Sequence, residues 1–395
     1  MSFNIALTGL SAVNDQLDTI SNNIANVGTT GFKSSRTEFG SIYADSQAMG
    51  VEVLGKTQSI SKGGSLVSTG RDLDVAISGG GFFVTKASTG NLSYTRAGVF
   101  GTDKSNFIMN AAGQRLQGYP IDANGNLLTG TMGDLQLQNA NLQAKATDSL
   151  AFVMNLDANE SVPAIVPFDP ANANTFNSTY TTKVFDSQGK EHTLTQYFVK
   201  TGDNTWDAHY YADGVDLASP QTLTFNTAGQ VVTPAAPVNV TFAPAGVDPV
   251  SIALDYNRST QTGSNFVVTT NRASGYASGE QIGIAVEKDG KVYANYSNGE
   301  RMLQGQVALA NFANLGGLQN ESGTSWTETS ESGAPIIGVP GIGIFGELRT
   351  GALENSNVDL TQQLVGLMES QRNYQANTKV ISTDKELTQV LFGAI

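Results

Sequence analysis

Cysteine is absent from this 395-residue chain, which excludes a disulfide framework, a thiolate metal site and a cysteine nucleophile. Charge is scarce as well: Asp, Glu, Lys and Arg make up 14% of the residues, against about 25% in an average soluble protein. The balance is acidic, with 35 acids against 22 bases and a net charge of −13. That argues against nucleic acid and against an anionic membrane surface as partners. No apolar run reaches the roughly 20 residues needed to span a bilayer. Nor does the chain open on a basic segment, a continuous hydrophobic core and a small-residue cleavage site. Membrane insertion and a classical secretory signal are therefore not expected, which taken alone points to the cytoplasm. Proline is missing from residues 1–119 and 341–395, so nothing there breaks a long helix.

The proline-free N-terminus carries the most regular pattern in the chain. Phe3, Ala6, Leu10, Val13, Leu17, Ile20, Ile24 and Val27 follow one another in steps of three and four. This is a heptad seam, the spacing that lets one helix lie along another. At 1.5 Å per residue the helix would be roughly 37 Å long. Only Asp15 and Asp18 are charged before Lys33, so the flanks lack ion-pair lacing. A second seam, partly polar, runs through Leu360, Leu364, Leu367, Gln371, Tyr374, Thr378 and Ile381. Leu387, Val390 and Leu391 close the chain with an apolar cluster.

Between the seams the text is that of β-structure: short aromatic and branched runs separated by Gly, Asn and Asp turns. LDVAI, GFFV, YTRAGVF, FIMN and RLQGY lie after Arg71, and LAFVMNL, YTTKVF, HTLTQYFV, TWDAHYY and SIALDY lie further on. Eight of the 11 prolines fall between Pro163 and Pro249, which suggests a separate, loop-rich domain inserted into the first. Asp289-Gly290 within Val286–Val292 reads as a type I′ hairpin turn. The expected fold is mainly β with terminal coiled-coil helices and two β-rich domains, one inserted in the other. Its expected segments are a helix in 1–33, an extended connector in 34–70, a β-domain split between 71–146 and 284–352, an inserted β-domain in 147–283, and a second helix in 353–395.

Candidate catalytic and ligand motifs fail on their own terms. Gly341, Gly343 and Gly346 match G-x-G-x-x-G, but prolines 335 and 340 precede them and no helical period follows, so a turn or glycine-rich strand is expected. Asp122, Asn124 and Asn126 have calcium-loop spacing, yet Leu127 stands where the loop needs glycine and Gly133 where it needs an acid. His192 and His209, the two histidines, lie on expected strands and read as ordinary strand residues before metal ligands. Gly79-Gly80-Gly81 could cradle an anion, but entry into a strand is the plainer reading. No nucleophile elbow and no catalytic constellation is present, so no enzyme activity, cofactor or metal is expected.

Two apolar helices flanking a β-rich middle can pair with each other, pack on the β-domain, or associate between molecules. Head-to-tail contacts that do not close build a helical filament. Here the residues resemble a known family. Ser21-Asn-Asn-Ile-Ala-Asn-Val-Gly-Thr-Thr-Gly-Phe-Lys33, with its Asn22, Asn23, Asn26, Gly31, Phe32 and Lys33, is similar to the N-terminal signature of bacterial flagellar rod and hook proteins, with Gly28 in place of the usual asparagine. Thr69–Ile77, Gly81–Phe83, Tyr94–Gly98 and Arg115–Tyr119 also resemble that family. So do Leu353–Leu360 and Gln371-Arg372-Asn-Tyr374-Gln375-Ala-Asn377, whereas residues 147–283 carry no such motif.

The resemblance implies a structural subunit that self-assembles into a helical tube. Its terminal helices would line the inner wall, with the β-domain in the middle and the insertion outside. The large insertion is similar to that of the hook-forming members, whose flexible tube transmits motor torque as a universal joint. A distal rod subunit is the near alternative, and a surface glycan-binding or hydrolytic β-protein the distant one. By the same resemblance the partners are many copies of the chain, the rod, hook-cap and hook–filament junction proteins, and the flagellar type III export apparatus. The location is then the extracellular flagellum, reached without a cleaved signal. Helices so poor in charge are expected to gain their order on assembly. Amide exchange across Leu10–Val27 in dilute protein checks this: fast exchange is expected, and strong protection contradicts it.

Overall fold

The computed structural model describes residues 2–44, 47–122, 125–138, 141–217 and 220–393. They are mainly strands, with a helix at each end, α1 (Ser2–Ala25) and α2 (Leu360–Gly393). The chain forms two compact units: residues 1–139, 283–295 and 301–395 make the first, and 140–282 with 296–300 the second. Among the described residues no helix is long and apolar enough to cross a membrane.

In the first unit, strands from both sides of the intervening sequence pair directly. Gln306 lies opposite Tyr119, Leu309 opposite Phe83, Trp326 opposite Tyr94 and Leu348 opposite Ile77. The run Phe82-Phe83-Val84 is apolar without alternation because both faces of its strand are covered. Phe83 joins a core with Val75, Phe100, Ile108, Leu135 and Val307, while Phe82 and Val84 join another with Tyr94, Phe312 and Trp326. The phenylalanines and Trp326 meet edge to face, with Phe82 5.5 Å from Trp326 and Phe83 5.2 Å from Phe100.

Several local expectations need correction. The 34–70 segment, read as an extended connector, contains a long antiparallel hairpin, β1 (Ser35–Ala44) and β2 (Gln47–Gln58). Its alternation is obscured by Gly40, Gly50 and Gly55, and two register shifts break the pairing. α1 stops at Ala25, short of Lys33, where Asn26, Gly28 and two threonines follow with poor helix propensity. α2 begins at Leu360 and not at Leu353, because Leu353 lies in a strand (Ala352–Glu354) and Asp359 caps the helix, accepting from the Gln362 amide at 3.1 Å. At Asp289-Gly290 only the glycine takes positive φ, at 85°. The loop is one residue longer than a type I′ turn, with Gly290 N–H donating to Glu287 at 2.9 Å and Glu287 N–H to Lys291 at 2.8 Å. The type I′ geometry occurs instead at Asp213-Gly214, at φ 48° and 81°.

The second unit is a sandwich. One sheet orders Val238–Phe242, Val250–Asp255, Ser149–Asp157 and Thr260–Thr262, with Val267–Ala273 also on Ser149–Asp157. The other orders Ser178–Phe185, Glu191–Gly202, Thr205–Ala212, Gln221–Phe225 and Val231–Thr233. Strict alternation along Glu191–Gly202 and Thr205–Ala212 sends Leu194, Phe198, Trp206, Ala208 and Tyr210 inward against Leu150, Phe152, Ile252 and Leu254.

The two histidines share no site, because they belong to opposite faces of this sheet. His209 is half-buried on the outer face, stacked flat on Phe168 at 4.0 Å. His192 is buried, its Nδ1 2.6 Å from Asp213 and its Nε2 3.3 Å from Asp186. Asp213 and Asp186 also accept backbone N–H groups of Thr193, Gln188 and Lys190, so the imidazole ties two turns together. Burial opposes charge on His192, but the hydrogen bonds and charges of Asp213 and Asp186 outweigh it and hold its pKa above the ordinary value. A raised histidine contributes stability that is present below about pH 6.5 and lost as pH rises through the folded-state value. The two aspartates, held low despite their own desolvation by His192 and the backbone donors, contribute above about pH 4 and lose it on acidification. Thermal melts of this unit across pH should therefore peak between those limits, and His192→Gln should flatten the alkaline limb. An unchanged alkaline limb in the variant contradicts the assignment.

Candidate functional site: the helix pair and its anchor

α1 and α2 lie antiparallel in one constant register. Asn23 Nδ2 donates to Gln363 Oε1 at 3.0 Å. A side chain at Gly366 would meet Ile20 at 3.4 Å, and one at Gly9 would meet Asn377 at 3.0 Å. The opposite flank of α1 rests on the hairpin. Thr19 and Thr37 hydroxyls bond at 2.9 Å, and Asn23 grips Ser35 twice, donating to its carbonyl at 2.8 Å and accepting its amide at 2.9 Å. Near the tip the Thr8 hydroxyl accepts the Val51 amide at 3.4 Å.

This geometry sorts the residues of the N-terminal seam. Ala6, Val13 and Ile20 are buried, and Leu10, Leu17 and Ile24 are half-buried. Phe3 is exposed near the helix start, and Val27 is exposed beyond its end. The C-terminal seam sorts differently. Leu367 and Ile381 are half-buried, but Leu360, Leu364, Gln371 and Tyr374 are exposed. The stripe against α1 is instead Gln363, Gly366, Leu367, Ser370, Asn377 and Ile381, which is mostly small or polar and so invisible to a search for apolar spacing. Leu364, Val365 and Met368 face water at 45%, 45% and 57% exposure. Extending the register puts Ser2 opposite residue 384, so Leu387 and Val390, both exposed, lie past the end of α1. The side chain of Leu391 lies outside the described residues.

The two chain ends are joined to the β-structure by a buried carboxylate. Glu354, just before α2, accepts Lys33 Nζ at 2.6 Å and the Gly64 amide at 2.9 Å on Oε1, and Arg96 at 3.3 Å on Oε2. The side chains of Lys33, Glu354 and Arg96 are 0%, 1% and 6% exposed. Arg96 also donates to Gly79 O at 2.9 Å and lies 5.3 Å from the Phe82 ring centroid. Lys33 donates as well to Lys62 O at 2.9 Å. Burial lowers the pKa of both cations, and Glu354 opposes that shift in each.

Part of the motif lies at this anchor, through Gly31 and Lys33, while Gln371 to Asn377 lie along α2. Gly31 has φ 71°, its amide donates to Glu354 O at 2.8 Å, and a Cβ there would stand 2.6 Å from the Ala97 nitrogen. Only glycine meets both demands. Asn26 closes the end of α1, bonding Asn22 O at 2.9 Å and receiving the Thr29 hydroxyl at 3.1 Å. Phe32 O accepts from the Asn357 amide at 3.3 Å. Asn357 in turn takes the Ser34 amide at 2.7 Å and donates to Ser59 O and Lys62 O at 2.9 Å. Arg372 and Gln375 are exposed on α2. Glu354, Arg96 and Asn357 were not foreseen as site residues. The one available signal was the two acids and two asparagines, Glu354, Asp359, Asn355 and Asn357, that Leu353–Leu360 carries within a charge-poor chain.

Gly341–Gly346 is a tight turn, closed by Gly341 N–H to Gly346 O at 3.0 Å and leading into the strand Glu347–Thr350. Asp122 and Asn126 close a turn whose Asn124 lies outside the described residues. Among the described residues no three His, Asp or Glu side chains stand together as a metal site.

Models of known families match the chain in four places: "Flagella basal body rod protein" over residues 3–33, "Flagellar hook protein FlgE/F/G D1 domain" over 76–149, "Flagellar basal body protein FlaE D2 domain" over 155–276 and "Flagellar basal body rod FlgEFG protein C-terminal" over 349–392. They define the class, a structural protein of the flagellar rod and hook. The chain is 40% identical to flagellar hook protein FlgE of Escherichia coli K12, and 39% identical to that of Salmonella typhimurium LT2, over 99% of both chains in each case. It is 36% identical to that of Rhizobium meliloti over 98% of this chain and 96% of the relative. A crystal structure of Helicobacter pylori flagellar hook protein FlgE2 shares the fold, at TM-score 0.55 and 14% identity, covering 73% of this chain and 100% of that one. The chain belongs to the flagellar hook protein FlgE family.

Substitutions at the anchor test its role. Glu354→Gln leaves two buried cations facing a neutral amide and should destabilise the first unit by about 3–5 kcal/mol in denaturant titration. Gly31→Ala should cost at least about 1–3 kcal/mol from backbone strain alone. Losses under 0.5 kcal/mol in both would remove the anchor from the account.

Proposed function

We propose that this chain is the building block of the flagellar hook, adding head to tail into a flexible helical tube that passes motor torque to the filament. The observation that carries the reading is the apolar stripe Leu364, Val365 and Met368, with Leu387 and Val390 beyond α1, which the single chain leaves in water. Those residues, with Phe3, Ile5 and Leu7 on α1, suit burial against the helices of neighbouring copies on the inner wall of the tube. The β-structure of 71–146 and 284–352 then forms a middle shell and 147–283 an outer one. Bending requires small sliding steps between outer surfaces, and a chain with 14% charged residues has few fixed ion pairs to resist them. Export through the flagellar type III apparatus without a cleaved signal, and contact with rod, hook-cap and junction proteins, belong to the same reading.

Negative-stain electron microscopy of the purified chain at high concentration or high salt tests it. Curved tubes are the expected product. Straight, stiff tubes point to a rod subunit, and persistently monomeric protein overturns the proposal. Deleting residues 147–283 should leave tubes that form but bend abnormally, and loss of assembly on that deletion contradicts the division between inner and outer shells.

A further inference from the structure

Two sides of α1 are accounted for within the chain. Ile20, in the buried stripe with Ala6 and Val13, meets α2 at Gly366, and Thr8 and Thr19 turn to the hairpin. On the remaining side Leu7, Ser11, Asn14, Asp18, Ser21 and Ala25 follow one another in steps of four and three, and all are exposed. α2 repeats the pattern. Away from Gly366, Ser370 and Asn377, which face α1, the residues Val365, Met368, Arg372, Gln375 and Lys379 advance in steps of three and four, again all exposed. Such spacing lines up one side of a helix as a seam for another helix. Each chain thus keeps two unused seams, one on each helix and on opposite sides of the pair.

The two seams match in charge and in size. The only charge on the α1 seam is Asp18, and the two charges between Val365 and Lys379 on the α2 seam are cations. Among the described residues Asp18, Arg372 and Lys379 have no ion-pair partner. Ser11, Ser21 and Ala25 are small, whereas Met368, Arg372 and Lys379 are long.

We propose that α2 of one copy docks antiparallel on α1 of a second copy through these seams, with Arg372 against Asp18. Charge complementarity selects the second copy as occupant. The acid and the cations stand on opposite sides of one helix pair, so they cannot meet within a molecule but do meet when one copy follows another. A contact between two different surfaces of the same chain is of the heterologous kind, which propagates. Copies that share one polarity also set α1 of one antiparallel to α2 of the next. With Arg372 against Asp18, Val365 falls at Ala25, Met368 beside Ser21 and Lys379 at Ser11, so long side chains lie over small ones. Glu386, further along the α2 seam, falls at Asn4 and meets no acid. The inference rests on the polymer reading and adds to it which faces meet and in what register.

Charge exchange in the full-length chain tests it, with the critical concentration for assembly at one fixed, low ionic strength as the readout. Asp18 and Arg372 are exposed and pair with no side chain of their own copy. Asp18→Arg and Arg372→Asp should therefore each keep the wild-type melting temperature and raise the critical concentration at least about tenfold. The double variant, with the two charges exchanged, should return to within about threefold of wild type. Single variants that assemble as wild type overturn the docking, and so does a double variant no better than the singles. An Arg372→Asp chain that assembles more readily than wild type means that α2 meets α2, which also overturns it. Failure of the wild-type chain to form tubes removes the polymer reading itself, an outcome distinct from any result with the variants.

Discussion

The carboxylate of Glu354 is the constraint on which the rest of the first unit depends. It accepts Lys33, which follows α1 by eight residues, and precedes α2 by six, so one side chain fixes where both chain ends enter the β-structure. Through Arg96 it binds the strand region after Leu92–Thr95, and through Gly64 the loop that returns from the hairpin. Buried ion clusters are weak as sources of net stability, because desolvation offsets most of their attraction. Their strength lies in geometry: a carboxylate with two cations and an amide donor has little freedom to shift. For a pair of helices that must meet other copies at a set angle, that rigidity matters more than the energy.

The helix pair it holds has two kinds of surface. Inside, α1 meets α2 through Gly9, Gly366, Asn377, Asn23 and Gln363, small or amide-bearing groups that bring the backbones close and fix one register. Outside, Leu364, Val365 and Met368 remain exposed. An isolated two-helix hairpin would ordinarily place its apolar residues the other way round. The inversion makes sense when the pair is one piece of a larger wall, and it matches membership of the flagellar hook protein family over nearly the whole chain.

Much of this was legible in the sequence where one residue type does one job. The strands of the sandwich show period two because one face is buried, and the run Phe82-Phe83-Val84 shows none because both faces are. The N-terminal stripe Ala6, Val13 and Ile20 could be read because its buried residues are apolar. The C-terminal contact could not, since much of it is made by Gly366, Ser370 and Asn377 while Leu360 and Leu364 of the apparent seam turn outward. Glu354 was hidden for another reason. Its partners lie 321 and 258 residues away in sequence, a pairing that no local pattern encodes. The hairpin of residues 35–58 was masked by glycines that admit close neighbours, Gly50 beneath Thr8 and Gly40 beneath Leu54. At Asp289-Gly290 the dipeptide was read correctly as a turn, but loop length decided its type.

The central claim is that the outward apolar stripe of α2 is an assembly surface. Met368 lies in that stripe at 57% exposure and is oxidisable, so it reports on its own burial. The direct measurement is the rate of Met368 sulfoxide formation under mild peroxide, read by mass spectrometry in dilute monomer and in assembled tubes. The account predicts rapid oxidation in the monomer and strong protection in the tube. Equal rates in the two states would contradict it.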